Sequence, residues 1–336
     1  MNHRLRRWGV EALKIAIGAA LLGLLWNKGL IDPVAIGQAL ARHPWWMALG
    51  LALHGLMFFL LGLRWKIILG ANHIAATTAL AHRLTLVSHF FSSCLPGNGA
   101  GDLVKGWLFS RRGTEFGSVL GTMVLDRILG MSGLFLTWSA YLLAAIASRP
   151  GSASLFAPFF VVAAFAGAGL LALVWFSRGI DAWLRRLPEP RHQLARRILD
   201  FSRRTVAPVA KGSRSHVAMA AGIALAVCIQ NCYIVTAWAA GYILSIPVDL
   251  VAAGAVLPLV SLVNAIPLSP GGVGLGEAVG AAALREFSLP SDAGAQVVLV
   301  VRIASVFWAV VGAIAYLSIR PASAPAATEA GAAPKP

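Results

Sequence analysis

Two acid-to-arginine spacings repeat in this 336-residue chain: Asp102 stands 25 residues before Arg127, and Glu277 stands 25 residues before Arg302. Each carboxylate follows a proline and a cluster of glycines, in LPGNGAGD (95–102) and LSPGGVGLGE (268–277). Each arginine sits early in an apolar run, and Asp126 adjoins the first of them. At the centre of a membrane helix such side chains cost about 2.5 to 3.5 kcal/mol each on an insertion scale, so they are expected to pair or to line a polar path. The same groups suit an anion. A guanidinium engages a phosphate through two parallel N–H donors, and a half-helix starting after a glycine turn offers free backbone N–H groups and a favourable dipole. Carboxylates that hold the arginines in the empty state would also keep them placed for a ligand. A phosphate-bearing lipid headgroup fits that description.

The elements that must position these residues follow from composition. Hydrophobic residues make up 58% of the chain and charged residues 12%, with a mean hydropathy of +0.75; soluble domains carry about a quarter charged residues. The composition predicts an all-α polytopic membrane protein. Six apolar runs, at 10–30, 45–65, 120–147, 154–176, 216–244 and 296–319, approach the roughly 20 residues needed to cross a bilayer. Two more, 84–108 and 251–287, are broken in the middle by the Pro/Gly clusters. The net charge of +15 does not point to nucleic acid, because the basic residues lie between apolar runs and form no patch interleaved with aromatics.

Positive-inside asymmetry explains that charge better. Arg4, Arg6 and Arg7 precede the first run, Arg64 and Lys66 close the second, and residues 177–215 carry ten Arg or Lys against three acids. These segments are expected on the cytoplasmic side of a bacterial inner membrane, with both termini. The connections 148–153 and 245–250 hold one basic residue, Arg149, and are expected outside. Arg83 before the first broken run and Lys105, Arg111 and Arg112 after it then require that run to enter and leave on one face. Parity requires the second to enter and leave from the other. Broken backbone at membrane depth is tolerated only where protein buries it or it lines a wet cavity.

Each half, about 1–150 and 151–320, thus reads span, span, re-entrant half-helix pair, span with an embedded arginine. Three crossings per half make the second copy inverted. Inverted repeats with paired Gly/Pro-interrupted segments are the signature of secondary transporters, whose site lies near the midplane between the repeats. A packing role competes with this reading, since Gly272, Gly276 and Gly280 form a small-xxx-small row.

The ordered motifs PGNGAGDLVKG, VLDRILGM, PLSPGGVGLGE and VVRI resemble the membrane region of bacterial lysylphosphatidylglycerol synthases and flippases. The resemblance spans nearly all of residues 1–320. It implies a flippase-like inner-membrane lipid domain; some stand-alone relatives are associated with hopanoid lipids or glycosyl carriers. Carried onto this chain, the motif positions are Pro96, Gly97, Gly101, Asp102, Lys105, Asp126, Arg127, Pro270, Gly271, Gly272, Gly274, Glu277 and Arg302. Lys105 stands where many relatives have Arg, and Asp126 where many have Glu, so charge is kept while reach changes. No soluble aminoacyl-transferase domain follows residue 320, and lipid lysinylation by this chain is not expected. Transport of an anionic, polyprenyl or hopanoid-type lipid is the leading expectation. The alternative is a non-transporting membrane partner or enzyme subunit that presents a lipid carrier for glycosyl or acyl transfer, with a lipid-modifying enzyme as its partner.

No phosphate loop, dinucleotide fingerprint, nucleophile elbow or HExxH motif is present, so no catalytic residue, metal or cofactor is expected. Cys94, Cys228 and Cys232 are expected as buried small hydrophobes, and His54 and His89 as packed or water-facing groups. Trp8, Trp26, Trp45, Trp46, Trp65, Trp107 and Trp175 fall near span ends, as interfacial aromatics do. Residues 321–336, rich in Ala and Pro, are expected to be disordered.

Overall fold

An apolar segment in lipid has to satisfy its backbone N–H and C=O groups within itself, which leaves the helix as the solution for an open chain. Every regular element in the computed structural model is accordingly helical, and no strand occurs among the described residues, which are 27, 32–94, 99–149, 151, 153–266, 272–290 and 292–319. The expected first span, the C-terminal tail and the loop-tip residues Pro96, Gly97, Pro270 and Gly271 lie outside them.

The helices are α1 (Pro33–Arg42), α2 (Pro44–Ala71), α3 (Thr78–Cys94), α4 (Ala100–Ser110), α5 (Phe116–Ser148), α6 (Ala153–Arg186), α7 (Gln193–Gly212), α8 (His216–Leu244), α9 (Leu250–Asn264), α10 (Leu275–Arg285) and α11 (Ala293–Leu317). Side chains fix several starts: Asp32 accepts from the Val34 and Ala35 N–H groups at 3.0 Å, Ser215 from Ala218 and Asp249 from Ala252. These are N-caps, each satisfying donors that the first turn leaves orphaned.

Five helices, α2, α5, α6, α8 and α11, are long and apolar enough to cross a membrane, at the positions the apolar runs indicate. The protein is a multi-pass membrane protein. Two helices outrun their apolar windows. α2 continues past residue 65 to Ala71, and α6 continues past 176 to Arg186, because hydropathy marks the lipid-compatible stretch and not where backbone hydrogen bonding stops. The basic segment 177–215 is largely helix as well, since α7 packs against α5 and α6 through Leu199 and Val209.

Both broken runs are pairs of short helices packed against each other, α3 with α4 and α9 with α10. The packing has an exchange relation. Among these eight helices, swapping α2 with α8, α3 with α9, α4 with α10 and α5 with α11 maps the set of helix contacts onto itself: α5 packs on α9 and α11 on α3, while α2 and α8 pack on each other. The main hydrophobic core gathers Leu142, Ile234, Leu257, Leu284 and Val301, drawn from α5 and α8 to α11.

Some surface expectations are corrected. Trp65 is fully buried and donates from Nε1 to Thr122 Oγ1, so it belongs to the core and not to an interfacial belt. Trp65 stands nearly two turns before the end of α2 at Ala71, so the end of the apolar window is not the end of the helix. Trp45 and Trp175 are exposed. The cysteines are also displaced from the expected interior: Cys94 and Cys228 are exposed and Cys232 half-buried, all as free thiols. On a membrane helix an apolar neighbourhood in sequence describes the lipid-facing side as well as the core.

Candidate functional site

Asp126 and Arg127 are adjacent on α5 and therefore point about 100° apart. Asp126 turns inward. It accepts from Arg64 of α2, Nε to Oδ1 at 2.7 Å and Nη2 to Oδ2 at 3.2 Å, and both residues are buried. Arg64, expected at the cytoplasmic end of its span, is instead a buried cation in a bidentate pair. Arg127 turns to the other side and donates to Asp102 Oδ2 at 2.6 Å. Asp102 stands in the first turn of α4, where the helix dipole favours a carboxylate. It also accepts from Ser88 of α3 at 2.9 Å and faces Lys105 at 3.6 Å. Lys105 is buried, with its ammonium 4.4 Å from the centre of the Trp65 ring. Gly101 lets α4 approach this closely, because a side chain there would collide with the Ser88 carbonyl.

These groups line one cavity of about 370 Å³, shared by α2, α3, α4, α5 and α9. Three cations, Arg64, Lys105 and Arg127, face it with two carboxylates, Asp102 and Asp126. Ser88, Ser92 and His89 add polar atoms from α3, and the His89 ring is held by the Ser305 carbonyl of α11 at 2.9 Å.

The second pair is built from the other half. Glu277, in the first turn of α10, receives Arg302 Nε at 2.5 Å and Nη2 at 3.1 Å. Arg302 also donates to the Gly272 carbonyl at 3.2 Å. Glu277 reaches back to accept from the Gly274 N–H at 2.8 Å, so one carboxylate both caps α10 and neutralises the arginine. Gly272 and Gly274 take φ of +72° and +81°, a region costly for residues with a Cβ.

The two pairs differ in access. The Arg127 side chain is 52% exposed and that of Asp102 19%, whereas Arg302 is 17% exposed and Glu277 not at all. The first lines the cavity; the second is largely buried.

Of the positions singled out from sequence, Asp102, Lys105, Asp126 and Arg127 converge on the cavity, and Gly101 permits the approach. Glu277, Arg302, Gly272 and Gly274 form the second cluster. Sequence reasoning missed Arg64 and the α3 polar face. A signal for the latter was present: Thr85, Ser88 and Ser92 recur at i, i+3 and i+7, the spacing of one helical face.

An all-α, multi-pass membrane protein with buried charge pairs around an internal cavity is the class that this architecture defines. Within that class, the chain belongs to the lysylphosphatidylglycerol synthase TM region family, which matches residues 12–313. Comparison with curated proteins and with solved structures finds no match. Family membership gives the protein a membrane lipid-related role.

Proposed function

We propose that the protein is a flippase-like transporter that binds the phosphate-bearing headgroup of a membrane lipid in the α2–α5 cavity. The observation that carries this reading is the unequal state of the two carboxylate–arginine pairs, one with a half-exposed arginine on a cavity and the other largely buried. A carrier that rocks between two related halves has one gate open while the other is closed. An entering phosphate would take over N–H donors that Asp102 now occupies on Arg127, and the strongly bound carboxylate would keep those donors placed meanwhile.

The surroundings suit a lipid. Along α5, Arg127, Met131 and Leu134 line the cavity, while Trp138 and Leu142 on the same face continue into an apolar groove of about 240 Å³ against α9. From Arg127 to Leu142 the helix rises roughly 22 Å, more than the roughly 15 Å of hydrocarbon in one leaflet. A headgroup in the cavity would therefore find an apolar path for a chain beside it. On this reading the broken runs are re-entrant, the basic segments are cytoplasmic and the membrane is the bacterial inner membrane.

The test is reconstitution with fluorescent phosphatidylglycerol and phosphatidylcholine. Protein should accelerate leaflet exchange of the anionic probe, and Arg127→Leu should remove most of that acceleration while inserting at normal yield. Equal rates for wild type and Arg127→Leu, or no acceleration of either probe, would defeat the proposal.

A further inference from the structure

A second charged concavity lies away from the central cavity, at the end of the bundle where α2 and α6 finish and α5 begins. It encloses about 590 Å³ and is faced by Arg185, Arg203, Arg204, Lys211 and Arg214 with Asp181 as the lining carboxylate. What matters is how those cations are held. Arg185 is paired with Asp181, and Arg204 with Glu115, so their charge is compensated. Arg203 is not compensated in this way: it donates to the Leu184 carbonyl at 2.9 Å and the Leu187 carbonyl at 2.8 Å. Lys211 donates to the Asn72 carbonyl at 3.2 Å. Backbone carbonyls fix these side chains without cancelling their charge. Arg214 makes no side-chain ion pair among the described residues.

Helix C-terminal capping accounts for Arg203 and Lys211 singly. It does not account for their meeting Arg214 on one open cleft, where three positive charges without carboxylate partners repel one another. An anion at their centre removes that repulsion. We propose that this cleft is a separate binding site for a phosphate group at the membrane surface, whose source is either the headgroup of an anionic lipid or a soluble phosphate compound. Phosphate is favoured over a carboxylate because three cations without carboxylate partners, Arg203, Lys211 and Arg214, face one cleft from α7 and the residues just after it, which suits an anion with more than two acceptor oxygens. The site shares no lining residue with the central cavity and does not rest on the transport reading.

The experiment uses full-length protein in nanodiscs, wild type beside Lys211→Gln/Arg214→Gln, which leaves the Arg203 clasp on α6 intact. In phosphatidylcholine discs, calorimetric titration with pyrophosphate at constant ionic strength tests the soluble source. In discs containing phosphatidylglycerol, native mass spectrometry of retained lipid tests the headgroup. Removing two cations near the site should weaken whichever ligand binds by about tenfold or more, and the same loss should appear in an Arg302→Leu background. Pyrophosphate binding lost in the double variant assigns a soluble phosphate. Lipid retention lost without pyrophosphate binding assigns a headgroup. If a folded double variant, with a melting temperature matching wild type, binds both probes as wild type does, the proposal is overturned. Should the double variant unfold, Arg214→Gln alone, at a side chain with no ion pair, gives the same reading.

Discussion

Adjacent residues on α5 serve two different purposes, and the structure separates them by direction. Asp126 belongs to a buried pair with Arg64, and Arg127 belongs to a half-exposed pair with Asp102. Breaking a buried pair from one side leaves an uncompensated charge and costs about 3–5 kcal/mol, while replacing both partners by apolar residues is often close to neutral. Arg64→Leu and Asp126→Leu should therefore each lower the melting temperature in detergent strongly, and the double variant should melt above either single one. Additive losses would mean that the two residues do not act as a pair. Asp126 and Arg127 could be read as ionisable from the sequence, but their partners could not. Arg64 looked like a membrane-end cation because charge at the edge of an apolar window is the usual topological marker, and only the extension of α2 to Ala71 puts it inside.

At the scale of helices, the glycine rows divide by backbone conformation. Gly272 and Gly274 occupy positive φ at the entry to α10. Gly280 does not; it lies inside α10, where an added Cβ would meet the Val298 side chain at 2.7 Å and the Gly294 carbonyl at 2.9 Å on α11. Gly272 combines positive φ with close packing, since an added Cβ would collide with Asn264, whereas Gly280 is a packing position alone. Gly280→Val should overpack the α10–α11 contact by about 1–3 kcal/mol, seen as reduced monodisperse yield. Gly274→Val should disturb the Glu277 cap and with it the seat of Arg302, so lipid retained per folded molecule should fall. If retention per folded molecule were unchanged in Gly274→Val, the turn would be structural only. The breaks at both Pro/Gly clusters were legible from composition, since proline and glycine interrupt helices for reasons local to the backbone. α7 was not, because a charge count marks a cytoplasmic side equally well for a helix and a loop.

For the whole molecule, the re-entrant reading predicts which side each broken run faces. In a background with Cys94, Cys228 and Cys232 replaced by Ser, cysteines at Arg83 and Arg112 should react with a membrane-impermeant reagent from one side. Cysteines at Ser245 and Ser288 should react from the opposite side. Labelling of positions 83 and 112 from opposite faces would replace the re-entrant arrangement with a full crossing. The general architecture was readable because lipid leaves so few backbone options, and hydropathy alone locates five long helices. The cavity was not readable, because it is assembled from α2, α3, α4, α5 and α9, and a spacing within one segment carries no information about which distant face it meets.

The exchange packing also constrains how the protein is made. Trp138 of α5 donates to the Ala255 carbonyl of α9 at 2.8 Å, and Trp308 of α11 donates to the Leu51 carbonyl of α2 at 2.9 Å. Each half thus finishes its interior with helices from the other. During synthesis, α5 emerges roughly 100 residues before the α9 that covers it, and at about 5–20 residues per second that is a wait of several seconds or more. Over that interval the face of α5 that carries Trp138 has only the earlier helices as company. A chain halted after α6 should be cleared rapidly by membrane proteases, whereas the two halves produced together as separate polypeptides should protect each other. Pulse–chase lifetimes of the first half with and without the second measure this, and equal lifetimes would show that the first half is self-sufficient. Biogenesis, more than equilibrium stability, is then where a single substitution at the crossing between halves would first be felt.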